Sequence, residues 1–240
     1  MKKPTAVIIG AQSAIAQAMA VRWQSHYRLV TLSRQAEPPA SLRQIADLCH
    51  EKTDYSETSL LEIAQDHCQG QDVARIFCAV GILHDDTVFP EKKLSQLDAT
   101  ALEHYFQVNT IIPALVLRAF VPVLDRQQAG VMAFLSAQIG SIGDNRLGGW
   151  YGYRASKAAL NMLIKTASIE MARTHKHYAV VALHPGTTDS PLSEPFQPRI
   201  AAERLYTPAL TAERLDTVIT QLQPEQSGQL LHWNGDVLPW

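Results

Sequence analysis

The chain is poor in cysteine, unbalanced charge, long hydrophobic runs and glycine. Its three cysteines, Cys49, Cys68 and Cys78, are odd in number and form no C-x-x-C. That excludes a disulfide framework and suits a reducing, cytoplasmic setting. Lys and Arg number 21 against 23 Asp and Glu, for a net charge of -2. No basic stripe is present, so no nucleic-acid partner is expected. The mixed cluster Glu91-Lys92-Lys93 reads as a solvated face. Behind Met1-Lys2-Lys3-Pro4 the apolar run lasts only to Ile9, too short for a signal peptide or a membrane span, and no membrane association is expected. His175-Lys176-His177 has no Cys or carboxylate at ligand spacing, and no H-E-x-x-H occurs, so no metal site is expected. The absence of G-x-S-x-G argues against a serine hydrolase.

What is present reads as an α/β protein. With 240 residues, 46% hydrophobic and 18% charged, one large domain over 1–240 fits better than two small ones. Thr5 to Ile9 is a β-branched run without polar alternation, expected to be a strand buried on both faces. A helical pattern follows over Ser13–Trp23, then a strand over Tyr27–Leu32, which together make a β-α-β unit. Further helices are expected over Ser41–Cys49, Ser59–His67, Asp98–Leu124 and Tyr153–Thr174, the third kinked or broken by Pro113 and Pro122. Further strands are expected over Ala74–Val80, Val131–Ser136 and Ala179–Leu183. Asn234-Gly235 predicts a tight hairpin near the end. The alternation implies a doubly wound Rossmann-type fold with a mostly parallel central sheet and helices on both faces. The proline-bearing segment 190–211 is expected to be a mobile loop with short helical pieces, or a lid, on the substrate side.

Three local patterns carry chemistry. Gly10 ends the first strand where backbone N–H groups, including those near Ser13 and Ile15, could face a dinucleotide pyrophosphate. Ser33-Arg34 ends the second strand where a carboxylate would hold the ribose 2′-OH of NAD. A hydroxyl and a guanidinium there favour a 2′-phosphate instead, hence NADP(H) over NAD(H). Tyr153 and Lys157 stand four apart on one helix face. A nearby ammonium favours a phenolate, which would let tyrosine give or take a proton at neutral pH. Trp150 and Phe196 could flank an apolar pocket or pack in the core.

Together these features resemble the short-chain dehydrogenase/reductase family over nearly the whole chain. The run from Gly140 through Gly148-Gly149-Trp150 to Tyr153-Arg154-Ala155-Ser156-Lys157, with His184-Pro185-Gly186-Thr187, is similar to its C-factor/sniffer-like carbonyl reductase subgroup. The resemblance implies that Tyr153 is the catalytic acid/base and that Lys157 orients the nicotinamide ribose and lowers the tyrosine pKa. It implies that Asn109, in Val108-Asn109-Thr110, supports a proton relay and that a serine holds the substrate oxygen. It places Asp54 and Tyr55 at the adenine pocket, Gly81 beside the adenosine ribose, and Pro185, Gly186 and Thr188 at the nicotinamide amide. It also implies a small carbonyl or alcohol substrate and a homodimer or homotetramer, whose contact the apolar stripe Ala158, Ala159, Leu160, Met162 and Leu163 could serve. Relatives named after cell–cell signalling leave a second reading, a cofactor-binding protein with little turnover.

The chain departs from the family at three places. Ala14 and Ala16 stand where further glycines would ease the approach of the phosphates. Cys78-Ala79-Val80-Gly81 replaces Asn-Asn-Ala-Gly. Ala137 occupies the usual serine position, three residues before Gly140, which leaves Ser136, Ser141 or no serine as the substrate-oxygen donor.

Overall fold

The computed structural model describes residues 2–240. Strand β1 (Thr5–Ile9) is buried along its whole length. Alternation sends Ala6 and Ile8 to one face, where they meet Met19 and Trp23 of helix α1 (Ala14–Trp23). Val7 and Ile9 face the other way, towards Leu60 of helix α2 (Glu57–Cys68). Two-sided burial is why this strand reads as an unbroken apolar run. The same logic holds for β2 (Arg28–Ser33), β4 (Val73–Cys78), β5 (Gly130–Leu135) and β6 (Tyr178–His184), with β3 (Cys49–Lys52) pairing outside β2. Late in the chain come β9 (Leu230–His232) and β10 (Val237–Leu238), which form the expected hairpin around Asn234-Gly235. The main sheet runs β10-β9-β6-β5-β4-β1-β2-β3, and every pairing in it is parallel except β10 with β9. Strand order reverses at β1, so a crevice opens between the C-terminal ends of β1 and β4.

The strand segments and three of the helices lie within a few residues of expectation, and the course 98–124 is broken as its prolines predict; two regions differ. Residues 41–49 are not a helix. They hold a 3₁₀ turn (Ala40–Leu42) and the start of β3, because backbone pairing with β2 outweighs a short helical pattern that follows Pro38-Pro39. The stretch 98–124 is one helical course in several pieces: α3 (Ala99–Phe106), a π-helical turn (Gln107–Ile111), α4 (Ile112–Phe120) and a 3₁₀ turn at Val121–Val123. Pro113 has no N–H for the carbonyl of Asn109, four residues earlier, and the helix widens there. By length and hydropathy alone Ala99–Val123 could cross a membrane; in the fold its buried residues, Phe120 among them, pack into the core beneath the sheet.

The second difference lies at the end of 190–211, whose short helical pieces are as expected until a regular helix begins. Short 3₁₀ turns occupy Glu194–Arg199 and Ala202–Arg204, and β7 (Thr187–Thr188) pairs with β8 (Leu205–Tyr206) beside the main sheet. Helix α6 (Pro208–Gln221), which the sequence reading did not anticipate, then begins inside the expected loop. Thr207 caps it by accepting from the Leu210 N–H at 3.2 Å, and Pro208 sits in its first turn. Its buried residues Leu215 and Ile219 pack with α1 on the Ala6 face of the sheet. Helix α5 (Tyr151–Thr174) packs on the opposite face through Leu160 and Ile164.

Candidate active site

A cavity of about 1250 Å³ fills the crevice at the strand ends. One end is the turn after β1. Gly10 adopts φ +87°, and a β-carbon there would come within 3.0 Å of Ala79 C and Val80 N. Only glycine fits this turn. Helix α1 opens onto the same space: Ser13 makes no side-chain cap and no acid occupies the first turn. Its free N–H groups face the cavity as an anion site would require. Ser13, Ala14 and Ile15 line the cavity, whereas Ala16 is fully buried beneath the sheet. Of the two substituted alanines, only Ala14 therefore borders the cavity.

Arg34, Asp54 and Tyr55 line the same end, and Arg34 is exposed. Ser33 lines this end of the cavity as well. Its hydroxyl accepts from Gln35 N at 3.1 Å and lies 3.3 Å from His50 Nε2, so it is turned into the β2–β3 edge. Among the described residues Arg34 is the one guanidinium at this end of the cavity, and its side chain is exposed to it. Tyr55 has φ 62° and is buried against the core, which pushes its hydroxyl well above the ordinary tyrosine value.

At the other end α5 presents Tyr153 and Lys157. Tyr153 sits in an apolar cluster with Leu83, Val88 and Tyr105, flanked by Trp150 at 6.3 Å between ring centroids. Burial raises its pKa well above 10, so in this environment it holds its proton. Its hydroxyl has no hydrogen-bond partner among the described residues. Lys157 is 3% exposed and donates to Leu135 O at 3.0 Å. Burial lowers its pKa to about 8. Its Nζ lies 6.0 Å from the Tyr153 ring centroid.

Gly81 shows how closely these groups converge. A methyl on it would stand 3.1 Å from Lys157 Nζ and 3.2 Å from Asn109 Oδ1. Asn109 itself is fully buried and off the cavity wall. It accepts from Ile82 N at 2.8 Å and donates to Ile82 O at 3.0 Å and Ser156 Oγ at 3.1 Å. Its side chain thus ties the loop after β4 to α5, with both amide hydrogens engaged.

Ser136 lines the cavity and Ser141 does not. The Ser136 hydroxyl, however, donates to Asn161 Oδ1 at 2.6 Å. Ser141 is buried in the next turn, where it accepts from Asp144 N. Ala137 also lines the wall. Pro185, Gly186 and Thr188 border the same end, but the Thr188 hydroxyl is shared with Thr211 Oγ1 at 2.9 Å. Trp150 and Phe196, 5.0 Å apart between centroids, close the apolar side, with Phe89 stacked on Phe196.

Three residues of the site escaped the sequence reading. His184, just before Pro185, lines the cavity with a buried, unpartnered Nδ1; burial, together with the nearby His232, lowers its pKa to about 4. Ser190 lines the mouth and donates to Thr188 O. Glu91, read as part of a solvated face, is instead 4% exposed. Its carboxylate accepts from Gly152 N at 3.2 and 3.3 Å, at the start of α5. Trp150, held at φ 55° immediately before that helix, offers no side-chain cap, and Glu91 supplies one from a distant loop.

A family model described as "short chain dehydrogenase" matches residues 4–201. A Rhodococcus sp. protein named 1-hydroxy-2-glutathionyl-2-methyl-3-butene dehydrogenase is 30% identical over 173 residues, covering 72% of this chain and 70% of its own. The C-signal of Myxococcus xanthus is 29% identical over 147 residues, 61% of this chain and 83% of its own. A solved NADPH-bound carbonyl reductase from chicken fatty liver superposes with a TM-score of 0.82 at 20% identity, over 100% of both chains.

Proposed function

Because the chain belongs to the short-chain dehydrogenase/reductase family, a family of oxidoreductases, we propose that it reduces an aldehyde or ketone with NADPH, or runs the reverse oxidation. The observation that carries the proposal is the convergence of Tyr153 and Lys157 on one cavity whose far end is the Gly10 turn. The open N-terminus of α1 and the free Arg34 fit a dinucleotide bearing a 2′-phosphate, and the NADPH-bound neighbour agrees with that choice. A bound nicotinamide would supply or accept the hydride.

The protein's own groups handle the proton. Tyr153, kept protonated by burial, donates from its hydroxyl to the carbonyl oxygen as negative charge develops there. Lys157, largely charged below pH 8, stabilises the phenolate left behind and offers its remaining hydrogens to ribose hydroxyls. Asn109 is a positioning residue: it holds the Ile82 backbone and Ser156 in register with α5. Ser136 reaches the substrate oxygen by turning its hydroxyl from Asn161. Trp150 and Phe196 give the substrate end an apolar, water-excluding wall, and the segment 190–204 acts as its lid. Ser190 and the Thr188 backbone are the contacts available to the nicotinamide amide.

Activity with NADPH against a panel of aldehydes, ketones and quinones tests the reading. Tyr153→Phe should lose activity by orders of magnitude, and near-wild-type turnover in that variant refutes it. Ala137 in place of the family serine, together with the C-signal relative, supports a second reading, a cofactor-binding signalling protein. NADPH-induced thermal stabilisation without turnover on any carbonyl would select it. Exposed Met162 and Ile169 on α5 and Ile111 beside Asn109 favour a homodimer or homotetramer, which a monomer in ultracentrifugation would overturn. With its free cysteines the protein suits the cytoplasm.

A further inference from the structure

At the outer edge of the sheet, apart from the cavity, three unlike side chains meet. Cys49 and Glu51 are two apart on β3 and so point to the same face. His67 comes from the last turn of α2. Cys49 Sγ lies 3.5 Å from Glu51 Oε1, and His67 Nε2 lies 3.0 Å from the same oxygen. The sulfur is 3.9 and 4.0 Å from the two ring nitrogens of His67.

We propose that Cys49, Glu51 and His67 form a binding site for one zinc-type divalent cation. The donor set is sulfur, nitrogen and oxygen, the combination that zinc accepts. The size also fits. The three donor atoms lie within 4.0 Å of one another, close enough to share one ion once the imidazole turns a ring nitrogen towards the sulfur. Thiolate and carboxylate bring two negative charges, offset in part by Arg28, whose guanidinium donates to His67 O at 2.8 Å and steadies the turn that carries the ring. All three ligands are half-buried, which leaves a fourth position to water.

The site is mounted on rigid elements. Every residue of β3 pairs with β2, and α2 is packed through Leu60 and Ile63 into the core. An ion here clasps the edge strand to its neighbouring helix just before Asp54 and Tyr55. Nothing in the sequence advertises the set, because His67 lies 16 residues beyond Glu51 and on another element.

Cobalt titration of the metal-stripped, untagged protein tests the proposal. One equivalent of Co²⁺ should bind with a thiolate-to-cobalt absorption band in the near ultraviolet, and zinc should displace it. Cys49→Ser should abolish the band, and His67→Gln should weaken affinity at least about tenfold, in variants whose circular dichroism matches wild type. Zinc at a hundred times its Kd should raise the wild-type Tm by about 5–10 °C. No band at saturating cobalt, a band that persists in Cys49→Ser, or an equal Tm rise in His67→Gln would each overturn the site and leave only adventitious binding.

Discussion

Replacing Glu91 with alanine should damage the protein out of proportion to its place in a loop. The carboxylate is buried and accepts the Gly152 N–H at the head of α5. Its removal leaves a buried donor unpaired, at a cost of about 1–3 kcal/mol. It also removes a negative charge from a helix N-terminus, a further 0.3–1 kcal/mol or about that, more where the site is dry. These contributions overlap, so about 2–3 kcal/mol in total is the expectation, or a Tm lower by about 5–10 °C in a chain of this size. Gly152 precedes Tyr153 directly. Loosening the first turn therefore displaces the hydroxyl, and kcat for carbonyl reduction should fall about tenfold, the loss expected when a catalytic group is misplaced by a fraction of an ångström. The KM for NADPH should change little, because the Gly10 turn and Arg34 lie at the other end of the cavity. Glu91→Gln keeps an acceptor and should lie between alanine and wild type. Thermal denaturation and steady-state kinetics on the purified variants are the assays. A Tm within 1 °C or so of wild type together with unchanged kcat would refute the assignment of Glu91 as the cap of this helix.

Other expectations follow from the same geometry. Since burial lowers Lys157 to about 8, the reductive rate should decline as pH rises through 8, while the stability contribution of this residue moves oppositely. Between 8 and the ordinary lysine value of 10.5 the unfolded chain binds the extra proton, so stability from this group rises with pH; a rate profile flat to pH 10 would refute the assignment. Arg34→Ala should weaken NADPH binding by roughly tenfold and leave NADH nearly unchanged, as fluorescence titration would reveal, because an exposed guanidinium–phosphate contact contributes on the order of 1–2 kcal/mol. Ser136→Ala should lower kcat and Ala137→Ser should raise it if a hydroxyl at this strand end serves the substrate oxygen; both variants indistinguishable from wild type would remove serine from the mechanism.

The framework of the fold was readable because strands buried on both faces, such as Thr5–Ile9 and Val131–Leu135, leave unbroken apolar runs between polar helix faces. Tyr153, Lys157, Gly10 and Arg34 were readable for a related reason: each belongs to a local pattern whose spacing corresponds to one turn or one strand end. What stayed hidden depends on distant partners. Glu91 sits beside two lysines in the sequence, and only the approach of its loop to α5 takes it out of water. Ser33 and Thr188 occupy the expected backbone positions, yet their hydroxyls are taken by Gln35 and Thr211, a competition between neighbours that spacing does not express. Helix α6 was obscured by prolines, although one of them, Pro208, starts it. The false helix over 41–49 arose because a short edge strand takes its conformation from β2 more than from its own residues.

The π-helical turn at Gln107–Ile111 can be viewed as a surplus residue lodged in an otherwise ordinary helix. Each residue of an α-helix advances about 100° around its axis. Deleting one residue from this turn would let α3 and α4 merge into a regular helix and swing one half by that angle against the other. Either the apolar face of α4 or the amide of Asn109 would then point the wrong way. Relatives that lose length in this helix should accordingly lose the Asn109 clamp on Ile82, whereas insertions in the solvent-facing loops can be absorbed without rotating anything.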